Sequence, residues 1–260
     1  MRIKILNHFA KGFFLANRSL DIYIIGVGLS LFSVLASLLT GSMLGKILQL
    51  VSFIAVFFSF SYYMSLPLLL TYKQQAKPLN FNSVWTVIFK NTKRTILPLI
   101  LLFILLIVFF IVLLFSLLVL TIALSHPSNN QELVAATKNF LDQIGGLSPL
   151  VIILLGIFTG IFTLFAFTPI YFSVENKGFF SSMKSSVGFS LNHLNFIGFL
   201  ILFGTISFIV GTLLVRIPIE KPLMLFISTV IFEYVNLIIS ASMLLFYQKI
   251  HTPDDTPRVG

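Results

Sequence analysis

The sequence contains no cysteine. That absence excludes disulfides, iron–sulfur clusters, thiolate zinc sites and a cysteine nucleophile. Charge is scarce as well: Asp, Glu, Lys and Arg make up 10% of the residues, where a soluble globular domain carries roughly 25%. There is no Gly/Ser/Pro-rich linker, low-complexity tract or long polar segment to mark off a water-exposed module. Phosphate-cradling P-loops, dinucleotide glycine fingerprints, HExxH pairs and GxSxG elbows do not occur. The four histidines, His8, His126, His193 and His251, fall in four separate polar segments without metal-ligand spacing. Nothing pairs a nucleophile with a base, and Asp254 and Asp255 read as solvated charge in a Pro-flanked tail. The sequence therefore predicts no catalytic residues, no metal and no cofactor, and a chain that is not an enzyme.

Hydrophobic residues are plentiful, at 57% of the 260 positions with 30 Phe among them. Such a surface faces acyl chains rather than water. Six apolar stretches are long enough for a bilayer core of ~30 Å, which takes about 20 helical residues. They lie near 22–40, 47–71, 96–124, 149–173, 195–215 and 223–248. The stretch from Ile96 to Leu124 carries no charge and exceeds the hydrocarbon thickness, so it is expected to tilt or to begin in the interface. Arg216-Ile217-Pro218-Ile219-Glu220-Lys221-Pro222 makes a tight charged turn between the last two stretches. The expected fold is an all-α, polytopic membrane helix bundle occupying 1–260 as a single integral membrane domain.

Net charge is +9. The basic residues sit beside the apolar spans, so the expected partner is the bilayer and its anionic headgroups, with membrane proteins as further partners and no nucleic acid. Cytoplasmic flanks retain positive charge. One side collects Arg2, Lys4, Lys11, Arg18, Lys73, Lys77, Lys90, Lys93, Arg94, Lys177, Lys184, Lys249 and Arg258; the other has Lys46, Lys138, Arg216 and Lys221. This bias places the two termini in the cytoplasm, and the even number of spans agrees in putting them on one side. Met1-Arg2-Ile3-Lys4 is basic, but Asn17, Arg18 and Asp21 interrupt the stretch after it, so the first span reads as an uncleaved signal.

The cytoplasmic segments show helical periodicity of their own. Phe81, Val84, Trp85, Ile88 and Phe89 share one face, with Asn82, Ser83, Lys90 and Asn91 elsewhere. Phe180, Met183, Val187, Leu191 and Leu194 do the same against Ser181, Lys184, Ser185 and Asn192. Ile5, Phe9 and Phe13 make a weaker stripe. These patterns predict amphipathic interfacial helices near 3–16, 79–93 and 178–194, lying on lipid or under the bundle, with Lys90, Lys93, Arg94 and Lys184 as headgroup contacts. On the outer side, Asn129 and Glu132 have capping-box spacing, Leu133, Thr137, Phe140 and Leu141 make an apolar edge, and Gly145-Gly146 closes a short helix.

An interfacial helix, a span, an outer turn and a second span form a unit that recurs. Leu66-Pro67-Leu68-Leu69-Leu70-Thr71-Tyr72 aligns with Thr168-Pro169-Ile170-Tyr171-Phe172-Ser173-Val174, and Ser242-Met243-Leu244-Leu245-Phe246-Tyr247 is a fainter third copy. The expectation is a threefold parallel repeat, unlike the inverted repeats of many transporters.

Glu233 is the ionisable residue deepest in an expected span, and Asn236 shares its helix face. The pair reads either as a packing device hydrogen-bonded to a neighbouring helix or as part of an ion path; with no second buried charge for a relay, packing is favoured. Pro67 and Pro169, one turn inside their span ends, read as bends that steer the chain into the interface rather than as broken-helix binding sites. Gly156 and Gly160 form a GxxxG that permits close helix approach within the bundle, and Gly198, Gly204 and Gly211 read alike.

Phe167-Thr168-Pro169-Ile170-Tyr171-Phe172-Ser173-Val174-Glu175-Asn176-Lys177-Gly178-Phe179-Phe180, followed by Met183-Lys184-Ser185-Ser186-Val187, resembles the YciC-like bacterial inner-membrane proteins. It is also similar to the related membrane domain of some glycerophosphoryl diester phosphodiesterases. There too a span ends in Pro, followed by an acidic residue, a Gly-started amphipathic helix with a Ser, and another span. This chain differs in carrying few polar residues in that helix. The resemblance covers most of the chain and implies a bacterial inner-membrane location without catalysis, since the phosphodiesterase activity resides in a separate soluble barrel. The leading expectation is thus a non-enzymatic inner-membrane protein that organises lipids or membrane partners through basic interfacial helices. The alternatives are a transporter or channel subunit using the polar cluster around Glu233 and, more remotely, a lipid-modifying enzyme using Glu175 and His193.

Overall fold

A computed structural model describes residues 2–38, 43–77, 79–125, 131–132, 134–135, 138, 160–161, 163–215 and 220–251. Eight helices can be followed in chain order: α1 (Arg2–Asn17), α2 (Leu20–Leu38), α3 (Met43–Gln74), α4 (Phe81–Ser125), α5 (Thr168–Ser173), α6 (Phe179–Asn192), α7 (Leu194–Val215) and α8 (Lys221–His251). No strand occurs among the described residues. They fall into two compact units, Met1–Ile96 with Leu164–Gly260, and Leu97–Thr163.

Among the described residues three helices are long and apolar enough to cross a membrane: Ala55–Gln74, Phe81–Phe109 and Pro222–His251. The count rises to five if each of two bent pairs, Leu6–Asn17 with Leu20–Phe32 and Phe179–Asn192 with Leu194–Leu202, is taken as one span. Six spans are expected from the sequence; most of the fourth, 149–159, lies outside the described residues. The expected outer helix does so too at Asn129 and Gly145-Gly146, although Gln131, Glu132, Val134, Ala135 and Lys138 are helical.

The three expected interfacial helices are built differently. α1 meets α2 at 81°, and α6 meets α7 at 96°. At the first corner Ser19 is fully buried; its backbone N–H reaches the Ala16 carbonyl at 2.9 Å and its hydroxyl the Leu15 carbonyl at 2.8 Å. At the second, the His193 N–H bonds the Ser190 carbonyl at 3.1 Å. The third expected corner is absent: 79–93 and 96–124 are one helix, α4, with Pro98 inside it. Asn80 starts it, its Oδ1 accepting the Ser83 N–H at 2.8 Å. Lys93-Arg94-Thr95 carries charge but no helix breaker, and proline inside an apolar helix is tolerated where neighbours re-satisfy the backbone.

Pro67 lies within the continuous α3. Pro169 does not bend a helix: the chain turns at 165–167, and Pro169 sits in the first turn of the separate α5, a position that needs no backbone donor. The two sites still share one bond. The carbonyl of each proline accepts a hydroxyl four residues on, Thr71 at 2.8 Å and Ser173 at 2.7 Å.

Lipid tails are as apolar as leucine, so burial alone does not drive helices together in a bilayer; close packing and hydrogen bonds do. In the first unit α1 lies across α8 where Gly12 meets Ser242. A Cβ at Gly12 would fall 2.1 Å from the Ser242 hydroxyl and 2.9 Å from its backbone nitrogen. α2 meets α3 at Gly26, whose Cβ would fall 2.7–2.8 Å from the Tyr62 ring. The glycines singled out by spacing behave otherwise: a Cβ at Gly160, Gly198 or Gly204 meets nothing within 4 Å. Gly156 lies outside the described residues, as do the surroundings of Gly211.

Candidate functional site

Three helices converge on Glu233. It is 3% exposed on α8, and its Oε1 accepts hydrogen bonds from the hydroxyls of Ser30 on α2 and Tyr63 on α3. Asn236, one turn along, lies near the Tyr63 hydroxyl. Around this knot Tyr23 donates to the Val230 carbonyl at 2.8 Å and Tyr62 to the Ile22 carbonyl at 3.1 Å. Tyr63 lies ten positions before Lys73, about 15 Å along the helix or half of a ~30 Å hydrocarbon core. Sequence spacing found Glu233 and Asn236. It missed Ser30 and Tyr63, because which faces of α2 and α3 meet α8 is a tertiary property.

A second polar seam joins α3 to α4. Ser61 and Thr95 hydroxyls lie 3.0 Å apart, and Asn91 Nδ2 donates to Ser65 Oγ at 2.8 Å; all four residues are buried. Next to it Arg94 turns inward. Its Nη2 donates to the Lys177 carbonyl at 2.9 Å and lies 3.5 Å from that of Phe172, while the guanidinium sits 4.2 Å over the Phe172 ring. Of the four expected headgroup contacts, Lys90, Lys93 and Lys184 are exposed and Arg94 is half-buried against backbone.

The polar side of α6 serves the turn at 165–167. Ser182, Ser186 and Ser190, spaced four apart, are all fully buried. Ser186 and Ser190 donate to the Leu164 carbonyl at 2.9 and 3.0 Å, and Ser186 Oγ accepts the Phe167 N–H at 3.0 Å. The periodic apolar residues lie about a quarter-turn round the helix, and Phe180 and Leu191 are 50% and 53% exposed. Met183 and Val187 of the same stripe are half-buried.

Histidines that are far apart in sequence also converge. His193 lies 4.4 Å from the Phe189 ring and 5.5 Å from Phe246, which His8 meets edge-on at 5.7 Å. His251 stacks on Tyr247 at 4.0 Å. Burial lowers the pKa of His8 below the ordinary value, helped by the positive charges of Lys249 and Lys11. Burial does the same to His193, with His251 adding. Among the described residues no group of His, Asp and Glu could hold a metal ion, and Glu175 is paired with Lys177 at 2.7 Å.

Helices of this length and hydropathy mark the chain as a helical membrane protein, with buried hydroxyl–carboxyl and hydroxyl–amide knots between its helices. Comparison with protein-family models, curated proteins and solved structures finds no match.

Proposed function

We propose that this chain is a non-enzymatic, multi-pass protein of a bacterial inner membrane, with both termini cytoplasmic, related to the YciC-like group. Its role in this reading is to organise anionic lipids or membrane partners through basic interfacial helices. The observation that carries it is the two-sidedness of α6. Its serines close the backbone turn beneath it, its apolar face stands exposed at Phe180 and Leu191, and Lys184 is exposed on the same helix. A helix set at 96° to the next apolar helix, with aromatic and aliphatic residues outward and a cation beside them, suits the boundary between headgroups and acyl chains.

The absence of cysteine makes the test direct. Nitroxides at Phe180→Cys and Leu191→Cys of the reconstituted protein are expected to collide with dissolved oxygen far more than with a water-soluble nickel chelate. Equal collision with both would place this face in water and end the interfacial reading. The threefold repeat belongs to the same proposal and is supported by the matched proline–hydroxyl bonds of α3 and α5. The transporter reading rests on Glu233. The donors that occupy its Oε1 favour an interhelical clamp instead.

A further inference from the structure

Where the C-terminal ends of α1, α3 and α8 approach one another, a cleft of about 420 Å³ opens. Its lining contains Lys11 of α1, Arg18 at the corner that follows it, and Lys73 and Gln74 of α3, and apolar walls are supplied by Phe14 and Leu245. It holds three cations and no carboxylate. Lys73 is partly neutralised by Asp21 at 2.6 Å. Lys11 and Arg18 are exposed, and neither pairs with an acidic side chain among the described residues.

We infer that this cleft is a binding site for the phosphate of a single anionic phospholipid, with Lys11 and Arg18 on the phosphate and Phe14 and Leu245 against the start of the acyl chains. The volume falls within the range of small-ligand sites, about 300–1,000 Å³. Two uncompensated cations lining one cleft, from α1 and from the corner after it, suit a phosphodiester anion. The apolar walls favour a lipid over a soluble phosphoester, because Phe14 is 65% exposed beside the cations. The cleft's level agrees: Gln74 bonds Gln248 at 2.9 Å, so α3 and α8 end together where their apolar stretches stop. The charged groups about the cleft are Lys11, Arg18 and the Lys73–Asp21 pair, with Lys249 acting on His8 from the α8 side as Lys11 does from α1; the Gln74–Gln248 amides beside them are neutral.

This inference rests on the interfacial reading above, and the experiment separates the two. The full-length protein, freed of lipid in neutral detergent, is titrated with dioctanoyl phosphatidylglycerol, dioctanoyl phosphatidylcholine or glycerol 3-phosphate, and bound species are counted by native mass spectrometry. One phosphatidylglycerol is expected to bind about tenfold or more tighter than phosphatidylcholine. Lys11→Gln with Arg18→Gln is expected to abolish that preference. Lys11→Arg with Arg18→Lys should keep it, as should Lys138→Gln, which removes an exposed charge elsewhere. Helical circular dichroism of each variant verifies folding. Wild-type preference that survives Lys11→Gln with Arg18→Gln overturns the cleft alone. Equal binding of both lipids by the wild type overturns the wider preference for anionic lipid too. Displacement of phosphatidylglycerol by equimolar glycerol 3-phosphate makes the ligand a soluble phosphoester and overturns the lipid assignment.

Discussion

Removing the Glu233 carboxyl takes away the acceptor shared by Ser30 and Tyr63 and leaves two hydroxyl donors facing a void between α2, α3 and α8. Leaving a buried donor unsatisfied costs about 1–3 kcal/mol in soluble proteins. Interhelical hydrogen bonds in membranes measure lower, averaging about 0.6 and reaching about 1.7 kcal/mol, because a helix separated within the bilayer finds other partners. Two bonds and a small cavity therefore put Glu233→Ala at about 2–3 kcal/mol. Glu233→Gln keeps a carbonyl oxygen of the same reach and should cost less than about 1 kcal/mol. A double-mutant cycle of Tyr63→Phe with Glu233→Ala isolates the pair, and its coupling is expected at about 0.5–1.7 kcal/mol. Unfolding in mixed micelles, followed by helical circular dichroism, measures each term. The clamp is refuted if the coupling is zero. A Glu233→Gln variant that keeps full stability while losing an ion-dependent activity would transfer the residue to the transporter reading.

Other contacts give equally sharp expectations. Gly12→Ala must move α1 away from Ser242 and should cost about 1–3 kcal/mol, whereas Gly188→Ala, whose Cβ meets nothing, should be neutral or stabilising by up to about 1 kcal/mol; thermal unfolding of the two distinguishes them. Arg94→Gln frees the Lys177 and Phe172 carbonyls and is expected to destabilise by about 1–2 kcal/mol, while the exposed Lys93→Gln changes stability by less than about 0.5 kcal/mol. His8 and His193 have lowered pKa values in the folded protein, so the unfolded chain takes up their protons first as pH falls. Their contribution to stability is then complete above the ordinary histidine value of about 6.5 and declines below it, down through the lowered folded values. The melting temperature should drop between pH 7.5 and 5.5, and His8→Gln with His193→Gln should flatten that slope.

Where the fold was legible, hydropathy carried it. Five of the six expected stretches coincide with helices α2, α3, α4, α7 and α8, since length and apolarity alone decide what a bilayer accepts. Corners were harder to read. Asn17-Arg18-Ser19 and His193 break the helix, yet Lys93-Arg94-Thr95 does not. Ser19 and Thr95 make the same hydroxyl bond to the carbonyl four residues back, so the local sequence alone does not tell the corner from the continuous helix. Spacing also missed the close contacts at Gly12 and Gly26, while Gly198 and Gly204, which it singled out, have open space. A glycine matters where a partner helix crosses it, and the crossing point is set by the whole bundle. At the candidate site, Glu233 stood out as a lone ionisable group. Ser30 and Tyr63 resembled any hydroxyl in an apolar helix.

The serines of α6 show what such hydroxyls do. The turn at 165–167 interrupts the helical ladder inside an otherwise apolar stretch, where each unpaired backbone group costs several kcal/mol. Ser186 both donates to the Leu164 carbonyl and accepts from the Phe167 N–H, so one side chain replaces two bonds of the lost turn. Ser186→Ala removes both, and Ser190 can still satisfy Leu164, which leaves Phe167 N–H as the uncompensated group. The expected cost is about 1–3 kcal/mol, against near neutrality for the exposed Ser181→Ala. Because the turn orients α6, loss of Ser186 should also disturb the oxygen-over-nickel accessibility at Phe180→Cys, and Ser181→Ala should not. If both variants leave stability and accessibility unchanged, water or lipid headgroups satisfy the Phe167 N–H. The orientation of α6 then owes nothing to its serine face.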